Sequence, residues 1–446
     1  VSGINESGFF VASAGYASNI VLNGAGSLIV SNGATAVNTT VINGNLTVSS
    51  GGAASNTNIK TVGTTNIASG GSAYRINISS GGALINNGIA DLVNVSSGGI
   101  FQVGPGSATS VILASGASLK AYIGAGKVVD VTGVNQRGSF VISDNYLSNA
   151  VLVNGFVSVG SGGSAIDVLV DGGASLTVVS GGYASGVDVR TGGVNYLYSG
   201  GVQSDVYLSN NAQQIVSGGV LSGVVVEANS YLTVSGGTVS NAILSSGARA
   251  RFTIGAALDT NITGVNESGS FVANNLLASN IVLNNAGSLV VSSGASALNT
   301  VATNNGSMYI RDGGKALNSL LITGGGAMVS AGGLIDSTNV SNGAVLQVNS
   351  GGFASNTSLS IGAAYLNILS GGSADTVSGA GGIVTVSAGG TATNINLVNS
   401  GGLRTFVGSG SGAFVSGLNQ SGSFLVSDTQ ASNVILNNYG ILSVGD

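Results

Sequence analysis

A small apolar residue that follows a Gly-rich corner returns every 17 to 19 residues, and this spacing constrains the chain more than any other feature. Near the start of the chain it falls at Ala17, Ala36, Ala54, Ala73, Ala90 and Ala108, at intervals of 19, 18, 19, 17 and 18. So steady a period signals stacked structural repeats rather than a globular core. The twenty residues from Ala388 to Val407, AGGTATNINLVNSGGLRTFV, hold the complete unit. A Gly-Gly corner leads to Ala392, Asn394 follows two places later, and apolar residues alternate through Ile395 and Leu397. A second corner at Gly401-Gly402 then opens the short run from Leu403 to Val407.

A longer period is laid over the short one. VSGINESGFF at Val1 returns as VTGVNQRGSF at Val131, ITGVNESGSF at Ile262 and VSGLNQSGSF at Val415, each with an aromatic ring at one offset: Phe10, Phe140, Phe271 and Phe424. These segments mark modules 1–130, 131–261 and 262–414 and the start of a fourth, 415–446. The second module registers at Leu147, Ala165, Ala184, Val202, Leu221 and Val239, and the third at Ala278, Ala297, Ala316, Ile335, Ala354, Ala374 and Ala392, one coil more. Length in such a chain counts repeats rather than cores, so all 446 residues are expected to form one continuous domain, cut from a longer array. In an otherwise aromatic-poor chain the four phenylalanines are expected to plug the core beside a distorted or bent coil.

Between corners, segments such as Gly44 to Val48 and Ala344 to Val348 are short, rich in β-branched residues and bounded by Gly, Asn or Ser, which predicts strands of three to six residues. Helix is disfavoured because each interior Gly costs about 1 kcal/mol against Ala. The single proline, Pro105, suits a backbone whose N–H groups are nearly all used in ladders. The expected fold is all-β: a right-handed parallel β-helix of roughly 24 coils of 17–20 residues with no significant helix, rising about 4.8 Å per coil into a rod on the order of 115 Å long. One coil buries too little apolar surface to offset its own ordering, so like must stack on like through many coils. Asn lies two residues after the register position in 11 of 20 registered coils, at Asn19, Asn38, Asn56, Asn149, Asn241, Asn280, Asn299, Asn318, Asn356, Asn394 and Asn433. Such a column reads as a structural ladder of side-chain amides, or as the filling of left-handed bends, rather than as ligand binding.

Composition excludes several functions. A net charge of -5 with eleven scattered basic residues argues against nucleic acid or an anionic membrane as partner. Without Cys or His, the chain has no disulfide, no thiolate or imidazole metal site and no Ser-His-Asp or Cys-His nucleophile. Of three glutamates, Glu6 and Glu267 share a module position that elsewhere carries Gln136 and Gln420, so carboxylate chemistry is not required there. Lys127 follows Gly-Ala-Gly but lacks the rest of a phosphate loop, and Asp does not recur in the Gly-rich turns as a calcium roll demands. The densest charge groups, Arg311-Asp312 with Lys315 and Arg249 with Arg251, read as solvated turns. No catalytic residue, cofactor or metal is expected, and no run of 18 apolar residues crosses a membrane.

The recurring pattern SGG-x-A-x-N-x-x-I/V-x-x-GG-x-L-x-V, as in Ser50 to Ile59, Ser350 to Leu359 and Gly389 to Leu397, resembles the repeat of AIDA-type autotransporter passengers, the self-associating adhesins of bacterial surfaces. The resemblance implies a β-helix exported through an outer-membrane barrel, and so a cell-surface or secreted protein anchored through a domain outside this sequence. It further implies cell aggregation, biofilm growth or host adhesion, with partners that are the chain itself or host and matrix surface components, and O-linked sugar on Ser or Thr in some members. Two other readings stand beside this one: a purely structural spacer, matrix or filament subunit, and a polysaccharide-processing β-helix, which the missing acid and base clusters disfavour. Under the adhesin reading, uncharged turns recurring in every coil would join rods side by side, with Lys60, Arg75, Arg190 and Arg311-Asp312 away from the contact or paired across it.

Overall fold

The computed structural model describes residues 2–5, 8–292, 294–360, 362–398, 401–437 and 439–445. It forms two compact units, Val1–Leu221 and Ser222–Asp446. Every regular element among the described residues is a strand, and no helix occurs.

One coil of the first unit shows the construction. Strand Ala53–Ile59 runs along two faces, bending at Asn56; a turn leads to strand Thr64–Ile67 on the third face, and a second turn to the next coil at Ser72–Ile78. Residues pair in parallel with their equivalents one coil on: Ala54 with Ala73, Ile59 with Ile78, Thr65 with Leu84. Ala54, Thr57, Ile59, Thr65 and Ile67 point inward and are buried, so each core side chain rests on its own counterpart above and below. The second unit repeats the pattern, with Ile335, Ala354, Ala374 and Ala392 in one column.

The two glycines of a corner answer different demands. Gly70 adopts φ 78°, a left-handed conformation that a side chain disfavours, whereas a Cβ on Gly71 would sit 2.5 Å from the Val48 carbonyl oxygen of the coil below.

All eleven asparagines of the expected column sit at the bend between the first and second faces, with φ between 48° and 57°. Where Asn is absent the backbone is unchanged: Arg75, Leu92, Ser110, Asp167 and Ser337 occupy the same bend at φ 54° to 58°. The bend turns the residue's own N–H along the stack, so Asn19 donates to the Val37 carbonyl and Asn38 to that of Ser55, both at 3.0 Å. Asn is favoured because its short polar side chain lowers the cost of the left-handed region.

One register position needs correction. Ala184 pairs with Gln203, not with Val202; Gln203 is buried and Val202 is 41% exposed. The bend of that coil falls at Asp205 accordingly.

The module starts depart from the expected distorted coil. Strand Val129–Asn135 pairs in parallel with Gly106–Leu113 below it, its register slipping between Ala108 and Val111, and then folds back as the antiparallel strand Gly138–Ser143. Tyr146–Ser148 runs antiparallel to that strand and restarts the parallel stack by pairing Leu147 with Ala165. The same excursion is made by Ser2–Asn5, Gly8–Ser13 and Tyr16–Ser18; by Thr260–Asn266, Gly269–Asn274 and Leu277–Ser279; and by Phe414–Asn419, Gly422–Ser427 and Gln430–Ser432. Two-residue tips closing on Gly138, Gly269 and Gly422 at φ 105° to 113° make the reversals. The chain accordingly makes about 21 turns rather than roughly 24, because hairpin residues do not contribute whole coils.

Each hairpin is pinned in the same way. Phe140, Phe271 and Phe424 are buried, and Phe10 is half-buried. Each ring's residue lies opposite a glycine of the antiparallel partner: Gly133, Gly264, Gly417 and Gly3. A Cβ on Gly133 would come within 2.7 Å of the Phe140 ring. Phe271 stacks on Phe252 at 6.0 Å between ring centres. Asn135 Nδ2 donates to the Asn149 carbonyl and Asn149 Nδ2 to the Ser139 carbonyl, both at 2.7 Å. Asn266 with Asn280 and Asn419 with Asn433 repeat this clamp, and Asn5 donates to the Asn19 carbonyl at 2.7 Å.

The third face skips the hairpin. Ile100 pairs with Ser118, but the next partner along the stack, Phe156, pairs with Lys120. The register has therefore moved by two residues, and it does so again where Arg251 meets Ser288 and where Arg404 meets Ile441. A shift of two preserves which side chains face the core, whereas a shift of one would invert them.

Candidate interaction surfaces

Among the described residues no group of three or more His, Cys, Asp or Glu converges where it could hold a metal. Glu267 lies at a hairpin tip, accepting from Ser246 Oγ at 2.9 Å and Asn284 Nδ2 at 3.3 Å; Glu6 falls outside the described residues. At Glu267 the partners are a hydroxyl and an amide rather than the second carboxylate that hydrolysis of a sugar polymer requires.

What the fold builds is columns of equivalent outward side chains. On the first face, the position before each register residue forms the series Tyr16, Thr35, Ala53, Ser72, Ile89 and Ser107, and after the hairpin Tyr146, Ser164, Tyr183 and Val202. None of these is charged. The second unit continues in kind with Leu277, Ser296, Lys315, Leu334, Phe353, Ser373, Thr391 and Phe414, where Lys315 is the one charge. Several are large and open to solvent, Ile89 most at 57%.

The bend column is bonded along its length in short runs rather than as one ladder. Asn38 Nδ2 donates to Asn19 Oδ1 at 3.1 Å, Asn56 to Asn38 at 3.0 Å and Asn299 to Asn280 at 3.3 Å. Asn356 and Asn394 donate instead to Asp336 and Asp375, both at 2.7 Å, and Asn149, Asn280 and Asn433 hold hairpin carbonyls. Asn241 and Asn318 share the bent backbone only. A second amide run, Asn94 to Asn77 to Asn58, lies on the second face, where the Asn count at the bend gave no sign of it.

Asp336 also accepts from Ser355 Oγ at 2.5 Å and Ser337 Oγ at 3.2 Å; Asp375 accepts from Thr393 at 2.5 Å and Thr376 at 2.9 Å. These donors, the Ser355 and Thr393 hydroxyls foremost, hold both carboxyls below the usual range, against a smaller opposing effect of partial burial.

Two further constellations escaped sequence reasoning. In the core of the first unit, Asn195, Gln203 and Gln214 are fully buried and close a ring of amides: Asn195 Nδ2 to Gln214 Oε1 at 2.7 Å, Gln214 Nε2 to Gln203 Oε1 at 3.1 Å, and Gln203 Nε2 to Asn195 Oδ1 at 2.9 Å. Three polar residues at apolar column positions are its only trace in the sequence. On the second unit, Arg249 and Arg251 do not lie in a solvated turn; they project from strand Arg249–Ile254 on the third face, with guanidinium carbons 4.6 and 4.9 Å from the Tyr231 ring centre. Lys315 likewise opens a strand, Lys315–Leu317, while Asp312 remains in a turn.

Comparisons with known proteins bear on these surfaces. The family model for the AIDA adhesin of the bacterial autotransporter system, described as its probable stalk, matches residues 2–63, 132–193 and 263–325. Each match begins in a module hairpin and runs through the first three coils after it. No curated protein matches the chain. Among solved structures, a TibC-catalysed hyper-glycosylated fragment of TibA, residues 55–350, is 26% identical, with 87% of this chain and 98% of that one covered and a TM-score of 0.30. With the same stalk segment recurring at one place in each of three modules, the chain is similar over those segments to the AIDA-type autotransporter stalks and is a bacterial autotransporter adhesin passenger.

Proposed function

We propose that this passenger works by lateral association with a second copy of itself through the first face, at the cell surface or after release from it, and that it carries out no covalent chemistry. The observation that carries the reading is the uncharged outward series on that face, six coils from Tyr16 to Ser107 and four from Tyr146 to Val202 without a charge. Two such stripes meet without Coulomb repulsion, and their exposed Tyr, Ile and Val offer apolar area to a like surface. Single contacts of about 0.5 to 1.5 kcal/mol are weak, but repetition at every coil sums them into avidity. Adhesion to host or matrix components would use the same stripe, and its Ser and Thr are the natural acceptors of the O-linked sugar that the family resemblance implies.

The test places Asp at Ala53, Ser72, Ser164 and Ser296 on the first face, or at Thr47, Thr64, Thr177 and Asn367 on the third, and measures sedimentation of cells displaying each variant. The first set is expected to abolish aggregation and the second to leave it. Equal aggregation by both, with both folded and displayed, would leave no role for the stripe.

A further inference from the structure

The third face of the second unit carries two neighbouring cations on one strand, unlike the mostly uncharged outward series of the first face. Arg249 and Arg251 both lie within 5 Å of the Tyr231 ring, and among the described residues neither has a carboxylate at ion-pair distance. The ion pair found among the described residues is Arg190 with Asp188, in the other unit. Arg249 is held from behind: its Nη2 donates to Asn285 Oδ1 at 3.4 Å, Asn285 Nδ2 donates to Asn229 Oδ1 at 2.7 Å, and its Nε is buried with no hydrogen-bond partner. Two guanidinium groups thus share one ring, one of them braced by an amide pair, with donors unspent and like charges uncompensated. In a chain where charged residues are 6% of the total, such a pair calls for an anion.

The register shift changes what lies opposite Arg249. Arg251 pairs with Ser288 of the next coil, two residues further along than an unshifted stack would require, so the residues facing Arg249 belong to the turn before that strand, Asn285 among them, and Arg249 has no ladder partner on that side. The corresponding register position carries a cation at the other junctions as well, Lys120 and Arg404, each the first residue to pair with the following module.

We propose that Tyr231, Arg249 and Arg251 form a binding site for the carboxylate of an acidic polysaccharide. The two guanidiniums take the carboxylate oxygens as bidentate donors. Thr233 and Ser288, the ladder neighbours of Arg251, and the amides of Asn229 and Asn285 supply uncharged partners for ring hydroxyls. One carboxylate surrounded by several hydroxyls describes a uronic acid unit, and a polymer of such units would engage the site repeatedly along its length.

The 446-residue chain, immobilised, is titrated with polygalacturonate, neutral dextran and polyglutamate at low and at physiological salt. Polygalacturonate is expected to bind in a salt-sensitive manner and dextran not to bind. R249Q/R251Q should weaken polygalacturonate by at least about tenfold, while R311Q/K315Q, equal in charge change, leaves it unaltered. R251K, which keeps the charge on an exposed side chain but removes the fork, should weaken it by about threefold or more with the melting temperature unchanged, and so carries the test if the double variant unfolds. No binding by polygalacturonate, equal losses in R249Q/R251Q and R311Q/K315Q, an R251K variant that binds as well as the parent, or polyglutamate binding as tightly as polygalacturonate would each overturn the proposal. Cell aggregation by R249Q/R251Q should stay at parental level, so failure of this site and failure of the first-face stripe are read separately.

Discussion

The coils from Ala54 to Ala108 and the junction that follows them, Val129 to Ser148, are made from the same few residue types but hold together by different rules. In the coils every inward side chain rests on the equivalent residue of the next coil, the backbone ladders are parallel, and the interactions lost at one position recur one coil away. At the junction the chain reverses twice, and one phenylalanine over one glycine, with two reciprocal amide bonds, fixes the geometry. Redundancy makes the coils tolerant of change, whereas the junction depends on single residues.

The largest difference should appear on truncating the junction ring. Phe271→Ala is expected to cost about 3 to 5 kcal/mol in urea unfolding, because it empties the buried space between the Phe252 ring and Gly264. Ile78→Val in a coil should cost only about 0.5 to 1.5 kcal/mol. Equal losses would erase the distinction between the two regions.

The amide ring offers a coil position that behaves like a junction. Gln203→Ala should destabilise the first unit by about 1 to 3 kcal/mol, since it strands the buried amides of Asn195 and Gln214. Replacing all three by Leu should recover most of that loss, the buried polar groups having been removed together. A triple variant weaker than the single one would show that the ring contributes more than satisfied burial.

At the bend, Asn56→Ala should cost about 1 kcal/mol and Asn56→Gly a few tenths, as Ala enters the left-handed region unaided and Gly enters it freely. Matching melting temperatures for the two variants would mean that the side-chain bond to Asn38, not the backbone, sets the column.

The smallest effect concerns acid. Asp336 and Asp375 have folded pKa values lowered from the usual 3.8, so the stability they contribute is present above that value and is lost as pH falls through the depressed folded value. Ser355→Ala should flatten the acid limb of the unfolding midpoint below pH ~4 and leave neutral-pH stability nearly unchanged, solvent screening the partly buried Asp336 carboxylate. An unaltered acid limb would remove Asp336 from that account.

The sequence made the coils legible because stacking repeats a residue's environment along with its identity: Ala17, Ala36 and Ala54 announce one column, and recurring Asn announces one backbone bend. It hid what breaks the repeat. Asn135-Gln-Arg-Gly138 is a hairpin tip, but the surrounding period suggests another coil, and the recurring phenylalanine gives no hint of strand direction. An apolar column points to Val202 rather than Gln203, and only the structure shows the partners that make a buried glutamine acceptable. Arg249 and Arg251 follow a Gly-containing corner and read as turn residues, whereas ordinary coil-to-coil pairing of Arg249 with Tyr231 places both on a strand.

The central claim, that each hairpin restarts the stack two residues out of register, can be tested with an engineered cross-link, since the chain has no cysteine of its own. Lys120→Cys with Phe156→Cys places the pair side by side on adjacent parallel strands, and Ser118→Cys with Phe156→Cys marks the unshifted alternative. Adjacent positions lie about 5 Å apart, within disulfide reach, and a two-residue offset puts them about 8 Å apart, outside it. Under mild oxidation the 120/156 pair should close in full without loss of stability and the 118/156 pair should stay reduced. Closure of 118/156 with 120/156 left open would contradict the register shift on which the junction account rests.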